Sequence, residues 1–296
     1  MTILIGTSGW SYDDWVGPFY PREMANKKGD WFAYYAKYFK IVEINSTFYR
    51  PPGELQVNSW LKKAPKGFEY SVKMPQLVTH NALVDGNLEN AIQFATAFER
   101  TCVKPLADAN LLGCTLLQLS PFFKNSNNAL SNLKCLLDAL PTHERDYAVE
   151  FRHSTWLNES KTELDSEILE ALRERNVANV ILDGPGQPVT KEETANHAYI
   201  RFHGRNADIW YGQDKEEEDH RHNRYDYLYS KKQLEPWVPR IKEASEMTEK
   251  VMVFLNNHFG GKAVKNAFDL MDMVLGEDAP KHKDVKLHEQ FKLGEF

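Results

Sequence analysis

The chain is poor in cysteine. Its three, Cys102, Cys114 and Cys135, fall at irregular spacing with no CxxC pair, which argues against a disulfide framework and against a zinc ribbon. Reduced, buried thiols in a cytoplasmic protein are expected instead. Long apolar runs are also missing. No stretch approaches the ~18 apolar residues that a membrane span needs. Nothing near Met1 joins a basic start to an apolar core of signal length, so neither secretion nor a membrane partner is expected. Positive charge is in deficit: 36 Lys and Arg against 42 Asp and Glu leave a net −6. No global basic field draws in nucleic acid, although a local patch is allowed. No G-x-G-x-x-G follows an apolar run, which tells against a doubly wound dinucleotide-binding sheet.

What is present is a repeating alternation. The chain has 296 residues with 42% hydrophobic and 26% charged content, ordinary for a soluble globular protein. Short apolar, β-branched runs at 2–9, 40–45, 68–74, 115–119, 147–151, 179–183, 198–203 and 250–255 read as strands. Helical patterns separate them, at 31–39 with Asp30 as N-cap, 54–63, 90–100 with a break near Pro105, 126–140, 165–175, 231–247 and 262–275. The interval 184–197 is too rich in Gly and Pro for a full helix. Strand alternating with helix gives an α/β protein with a parallel sheet. Eight such units predict a TIM-barrel-like (β/α)8 fold, usually ~250 residues, with one abbreviated crossover between strands 6 and 7. No composition break marks a linker, so a single domain over 1–296 is expected, with a charged tail from about 276.

The polar residues gather at strand ends. Glu43 and Asn45, Lys73, Gln118, Glu150 and Arg152, Asp183, Arg201 and His203, and Asn256 all stand at or just past the C-terminal end of a strand. In a barrel those ends meet at one mouth, where such enzymes work. Any one of them could be structural, but so many are hard to explain as packing. The densest stretch is Tyr147-Ala-Val-Glu-Phe-Arg-His-Ser-Thr-Trp156. Glu150 and Arg152 share one strand parity, and His153 and Trp156 follow in the loop. A plain Arg–Glu pair stitching that loop is the bland alternative. Trp10, Tyr12 and Trp15 read either as an aromatic wall or as packing over the barrel end.

Several longer motifs point the same way. Gly6-Thr-Ser-Gly-Trp-Ser-Tyr12 with Gly17-Pro-Phe-Tyr-Pro21, Val42-Glu-Ile-Asn-Ser-Thr-Phe-Tyr-Arg-Pro51, Thr79-His80 and Leu117-Gln-Leu-Ser-Pro121 lie in the first half. Val149-Glu-Phe-Arg-His153 with Trp156, Tyr199-Ile-Arg-Phe-His-Gly204, and Phe254-Leu-Asn-Asn257 with Asn266-Ala267 follow. Together they resemble the YecE-like family, also called domain of unknown function 72, nearly end to end. The resemblance implies a TIM-barrel-like fold. It implies no activity, and barrel shape alone supplies none.

Chemistry must therefore come from the residues. Lys73, Arg152 and Arg201 face Glu43, Glu150 and Asp183 in the expected mouth, with His80, His153 and His203 near. Arginine forks suit phosphate or carboxylate, so a small anionic substrate, phosphorylated or sugar-like, is the expected partner. Glu43 or Glu150 could be a general base and His203 an acid or base. Tyr12, Asn45, Lys73, His80, Gln118, Arg152, His153, Trp156, Asp183, Arg201 and Asn256 would hold the substrate. Lys73 could form a Schiff base, although a partner for a neighbouring carboxylate is the favoured role. No cofactor is assigned. Glu43, Glu150, Asp183 and His203 are ligand types for a divalent metal, but the three cations oppose one and no H-E-x-x-H spacing exists. A nucleic-acid-binding or nuclease-like barrel is the alternative, resting on Trp10, Tyr12, Trp15, Tyr49, Trp156, Trp210 and Tyr211 among Arg50, Arg152, Arg201 and Arg205. A non-catalytic binding barrel is a third. The polar stretch 204–229 could close over a ligand as a lid.

Overall fold

Eight parallel strands pair in sequence order and close on themselves: β1 (Thr2–Ser8), β2 (Ile41–Ile44), β3 (Glu69–Lys73), β4 (Leu112–Gln118), β5 (Tyr147–Glu150), β6 (Val177–Asp183), β7 (His197–Phe202) and β8 (Lys250–Leu255). This is a TIM-barrel-like (β/α)8 fold. It is seen in a computed structural model that describes residues 1–186, 188–206, 225–282 and 285. The 204–229 stretch proposed as a lid lies largely outside the described residues.

Helices wrap the strands: α1 (Lys28–Tyr35), α2 (Ser46–Tyr49), α3 (Glu54–Lys63), α4 (Leu88–Phe98), α5 (Lys104–Asp108), α6 (Asn127–Asp138), α7 (Ser166–Arg173), α8 (Lys231–Leu234), α9 (Trp237–Met247) and α10 (Lys262–Leu275). The crossover from β6 to β7 has no helix among its described residues. Its Gly and Pro content deprives it of donors and of helical backbone preference.

Local chemistry moved some boundaries. Asp30 is not the N-cap of α1 but lies in its first turn, where a carboxylate still complements the helix dipole. Pro105 does not break its helix. The ladder widens into a π-turn at Glu99–Val103 and resumes in α5, with the proline in the first turn, where its missing N–H would have no partner anyway. Thr79 and His80 lie in a second π-turn, Leu77–Ala82. Residues 46–49 form a single short helical turn, α2.

Two cores result from the period-2 alternation of the strands. Inside the barrel, Ile41, Cys114, Leu116, Ala148, Val180, Tyr199, Met252 and Phe254 form a plug. Outside, the other strand face packs on the helices, where Trp31, Tyr35, Phe39 and Phe68 are fully buried. Each such ring stabilises by roughly 1.5–3 kcal/mol relative to exposure. Gly6 lets β1 lie close to β2, since a Cβ there would sit 2.3 Å from the Ile41 carbonyl oxygen. That approach sets Ser8 level with Glu43.

Candidate functional site

Above the apolar plug the inward face turns polar. Glu43 of β2 and Arg201 of β7 point inward because they share parity with Ile41 and Tyr199 of the plug. Lys73, Gln118 and Glu150 are the last residues of β3, β4 and β5. His203 and Asn256 stand one residue past β7 and β8.

Arg201 is the hub. Its side chain is 1% exposed and bridges two carboxylates from different strands. One Nη donates to Glu43 Oε1 at 2.7 Å, and the other donates to Glu150 Oε2. Ser8 Oγ also donates to Glu43 Oε1, at 2.7 Å, and the Tyr199 hydroxyl to Oε2 at the same distance. Gln118 Nε2 donates to Glu150 Oε1 at 2.6 Å. All four carboxylate oxygens therefore accept a hydrogen bond, as buried carboxylates must. Burial pushes the Glu43 carboxyl up, but the Arg201 guanidinium and the Arg201, Ser8 and Tyr199 hydrogen bonds more than offset this and hold it below the usual range. Glu150 is likewise raised by burial but held well below by Arg201, His203 and Arg152.

His203 completes one side. Its Nδ1 meets the Asn256 amide at 2.9 Å, and its Nε2 lies 3.6 Å from Glu150 Oε2. Burial and the Arg201 charge push its pKa down, against Glu150, so the ring is neutral near pH 7. Arg152 is half-buried, with Nε 3.9 Å from Glu150 Oε1.

Lys73 departs from expectation. Its side-chain amine has no hydrogen-bond or ion-pair partner among the described residues, because the nearby carboxylates are engaged by Arg201. Its Nζ lies 3.9 Å from the centre of the Phe48 ring, and the residue is 7% exposed. The Thr47 hydroxyl pins its backbone, donating to the Lys73 carbonyl at 2.7 Å and accepting from its N–H at 3.1 Å. Burial and Arg201 lower its pKa to about 7. His80 is nearby. Burial, then Lys73 and Arg152, lower its pKa to about 4.

Two further expected residues line the rim. Tyr12 donates to the Ser8 carbonyl at 2.7 Å and stacks on His258 at 4.4 Å. Asn45 buries an Oδ1 that has no partner among the described residues.

Three expected residues do not join. Asp183 has the parity opposite to Val180 and Leu182, which face the plug, and so faces the helices. There it accepts from Arg205, from Tyr229 at 3.0 Å and from Trp237 Nε1 at 3.0 Å. His153 turns back on its own loop, with Nδ1 accepting from the Thr155 N–H at 3.1 Å. Trp156 is fully buried against Phe123, whose carbonyl its Nε1 reaches at 2.8 Å. With Asp183 turned away and Glu43 and Glu150 occupied, the ligand set weighed for a metal does not assemble. Among the described residues no group of three or more His, Cys, Asp or Glu could hold one.

Ser8, Tyr199, Thr47 and Phe48 were missed. Tyr199 shares parity with Arg201, a signal present in the sequence. Ser8 is recognisable only once the β1–β2 register is known.

Fold and site together define a (β/α)8 barrel with a buried, arginine-centred carboxylate network at its C-terminal mouth. The family model described as "Protein of unknown function DUF72" matches residues 4–288, and the chain belongs to that family. It is 28% identical over 294 residues to the UPF0759 protein YunF of Bacillus subtilis (strain 168), covering 96% of this chain and 99% of that one. It is 30% identical over 222 residues to the UPF0759 protein YecE of Escherichia coli (strain K12), covering 68% and 74%. A crystal structure of a DUF72 family protein from Thermotoga maritima MSB8 superposes with a TM-score of 0.79 at 32% identity, over 93% of this chain and 100% of that one. Another, from Enterococcus faecalis V583, gives 0.76 at 23% identity over 95% and 99%, and shows the fold alone.

Proposed function

We propose that the C-terminal mouth binds a small anionic molecule, phosphorylated or sugar-like, and acts on it as an enzyme of a reducing, cytoplasmic setting. The charge count supports this. Among the described residues of the mouth, two carboxylates, Glu43 and Glu150, stand against two guanidiniums, Arg201 and Arg152, and the Lys73 amine, whose pKa burial and Arg201 lower to about 7. Arg201 is engaged within the network, whereas Lys73 has no carboxylate of its own among the described residues. An anion between Lys73 and Arg152 would restore the balance and favour the ammonium form. Glu43 and Glu150 hold Arg201 in place, so the neutral, buried His203 is the better proton acceptor. No helix among the described residues is long and apolar enough to cross a membrane, and the three thiols are free, two of them buried.

Of the rings behind the nucleic-acid alternative, Trp15 and Trp156 are buried packing residues, and Trp210 and Tyr211 lie outside the described residues. Titration calorimetry with inorganic phosphate tests the anion site. Wild-type protein binds, and Arg152→Ala loses binding at least about tenfold, in line with removing a charge-assisted contact. Equal affinity in the two proteins would remove the anion from consideration.

A further inference from the structure

Few buried amines lack an acceptor, because desolvating an unpaired ammonium is costly. Lys73 is such an amine. It is nine-tenths buried, lies on the Phe48 ring and has no partner oxygen among the described residues. Its backbone is fixed on both sides by Thr47. We infer that Lys73 is a nucleophile that forms a Schiff base with the carbonyl carbon of an anionic aldehyde or ketone held at the mouth. The inference rests on the anion reading of the same site and names the substrate class.

The charged surroundings suit that chemistry. Glu43 from β2, Glu150 from β5 and Arg201 from β7 all act on Lys73, as does Arg152 beyond β5, and His80 faces it from the π-turn. Burial and the two guanidiniums outweigh the two carboxylates, so a large share of the amine is unprotonated near pH 7. An exposed lysine at that pH is unprotonated to less than about one part in a thousand.

The step balances without a co-reactant. The nitrogen lone pair of the neutral amine forms the C–N bond. The carbonyl π pair moves to oxygen, which takes a proton, while nitrogen loses one. The nitrogen lone pair then expels the hydroxyl group, which leaves with a second proton as water. From the ammonium, the sum is one carbonyl consumed, one water released and one protonated imine formed. No oxidant, reductant or metal takes part.

Reductive trapping provides the test. The full-length protein is incubated at pH 7 with glyceraldehyde 3-phosphate, or with uncharged glyceraldehyde, and treated with sodium borohydride. Adducts are located by peptide mass spectrometry. Lys73 should be modified at least about tenfold faster than any exposed lysine, faster by the phosphorylated aldehyde, and inorganic phosphate should suppress it. Lys73→Arg and Lys73→Met should abolish the fast adduct, with Arg keeping the charge as a check on folding. Recovery of Lys73 unmodified while exposed lysines react would overturn the inference. If phosphate still bound in that case, the anion reading would stand with Lys73 as a point charge. Equal modification by both aldehydes, unaffected by phosphate, would sink the anion reading and leave only the reactive amine.

Discussion

At the scale of single residues, Arg201 carries the most consequence. A guanidinium taken wholly out of water is costly unless it is paired, and here carboxylates from β2 and β5 take both its Nη groups, while its buried Nε has no hydrogen-bond partner among the described residues. Removing it leaves both carboxylates buried without their cation. Arg201→Met should therefore destabilise the protein by about 3–5 kcal/mol at pH 7. The pH dependence follows from linkage. The folded-state pKa values of Glu43 and Glu150 are depressed. Their contribution in the wild type is thus present above the unfolded carboxylate pKa and is lost as pH falls through the folded values. Without Arg201 burial would raise those pKa values, and the carboxyls could protonate under mildly acidic conditions. The penalty of the substitution should shrink between pH 7 and pH 5. Urea unfolding at both pH values measures it, and an equal penalty at each would show that the carboxylates do not depend on Arg201.

At the scale of elements, Asp183 shows what strand parity decides. It is the last residue of β6, and it faces the helices instead of the mouth. It joins β6 to Arg205 after β7, to Tyr229 and to Trp237 of α9. The crossover from β6 to β7 has no described helix to cover that face, and this cluster takes part of that role. Asp183→Ala leaves the Trp237 N–H buried without its acceptor and the Tyr229 hydroxyl with only the long bond to the residue-183 carbonyl, at 3.4 Å. A loss of about 2–4 kcal/mol is expected, on the scale of unsatisfied buried donors. Phosphate affinity measured by calorimetry should remain unchanged. A variant of full stability that failed to bind phosphate would instead place Asp183 in the binding site. The misplacement has a physical origin. Every residue of β6 is buried, because a parallel strand is covered on both faces and loses the alternation that reports direction. Residues beyond a strand end are harder still. Once β5 ends at Glu150, parity no longer constrains His153 and Trp156, and a short 3-10 turn, Ser154–Trp156, sends them elsewhere. The two π-turns had no sequence signal, since they depend on how a helix must seat on its neighbours.

At the scale of the whole molecule, the barrel was legible because its evidence is repetitive: eight apolar runs, seven connections between them and polar residues at the same end of seven strands. Convergence of Glu43, Glu150, Arg201, His203, Gln118 and Asn256 followed from closure of the sheet. Which side chains bond to which could not follow, because the pairing of Arg201 with both carboxylates, and so the isolation of Lys73, depends on distances across the barrel. The same global view bears on nucleic acid. A protein that holds a duplex through phosphates releases counterions, and its affinity falls steeply with salt. This chain has a net charge of −6, and the best-defined arginine at its mouth is enclosed by carboxylates at 1% exposure. Among the described residues beside it, Lys73 and Arg152 add two cations, fewer than a strand of phosphates would take. A short DNA duplex titrated in a series from 50 to 200 mM salt, roughly the range over which phosphate contacts reveal themselves, should show no binding at any concentration. Affinity at low salt that drops steeply across the series would establish a basic surface that the described residues of the mouth do not provide, and would favour the nucleic-acid reading over the small-anion one.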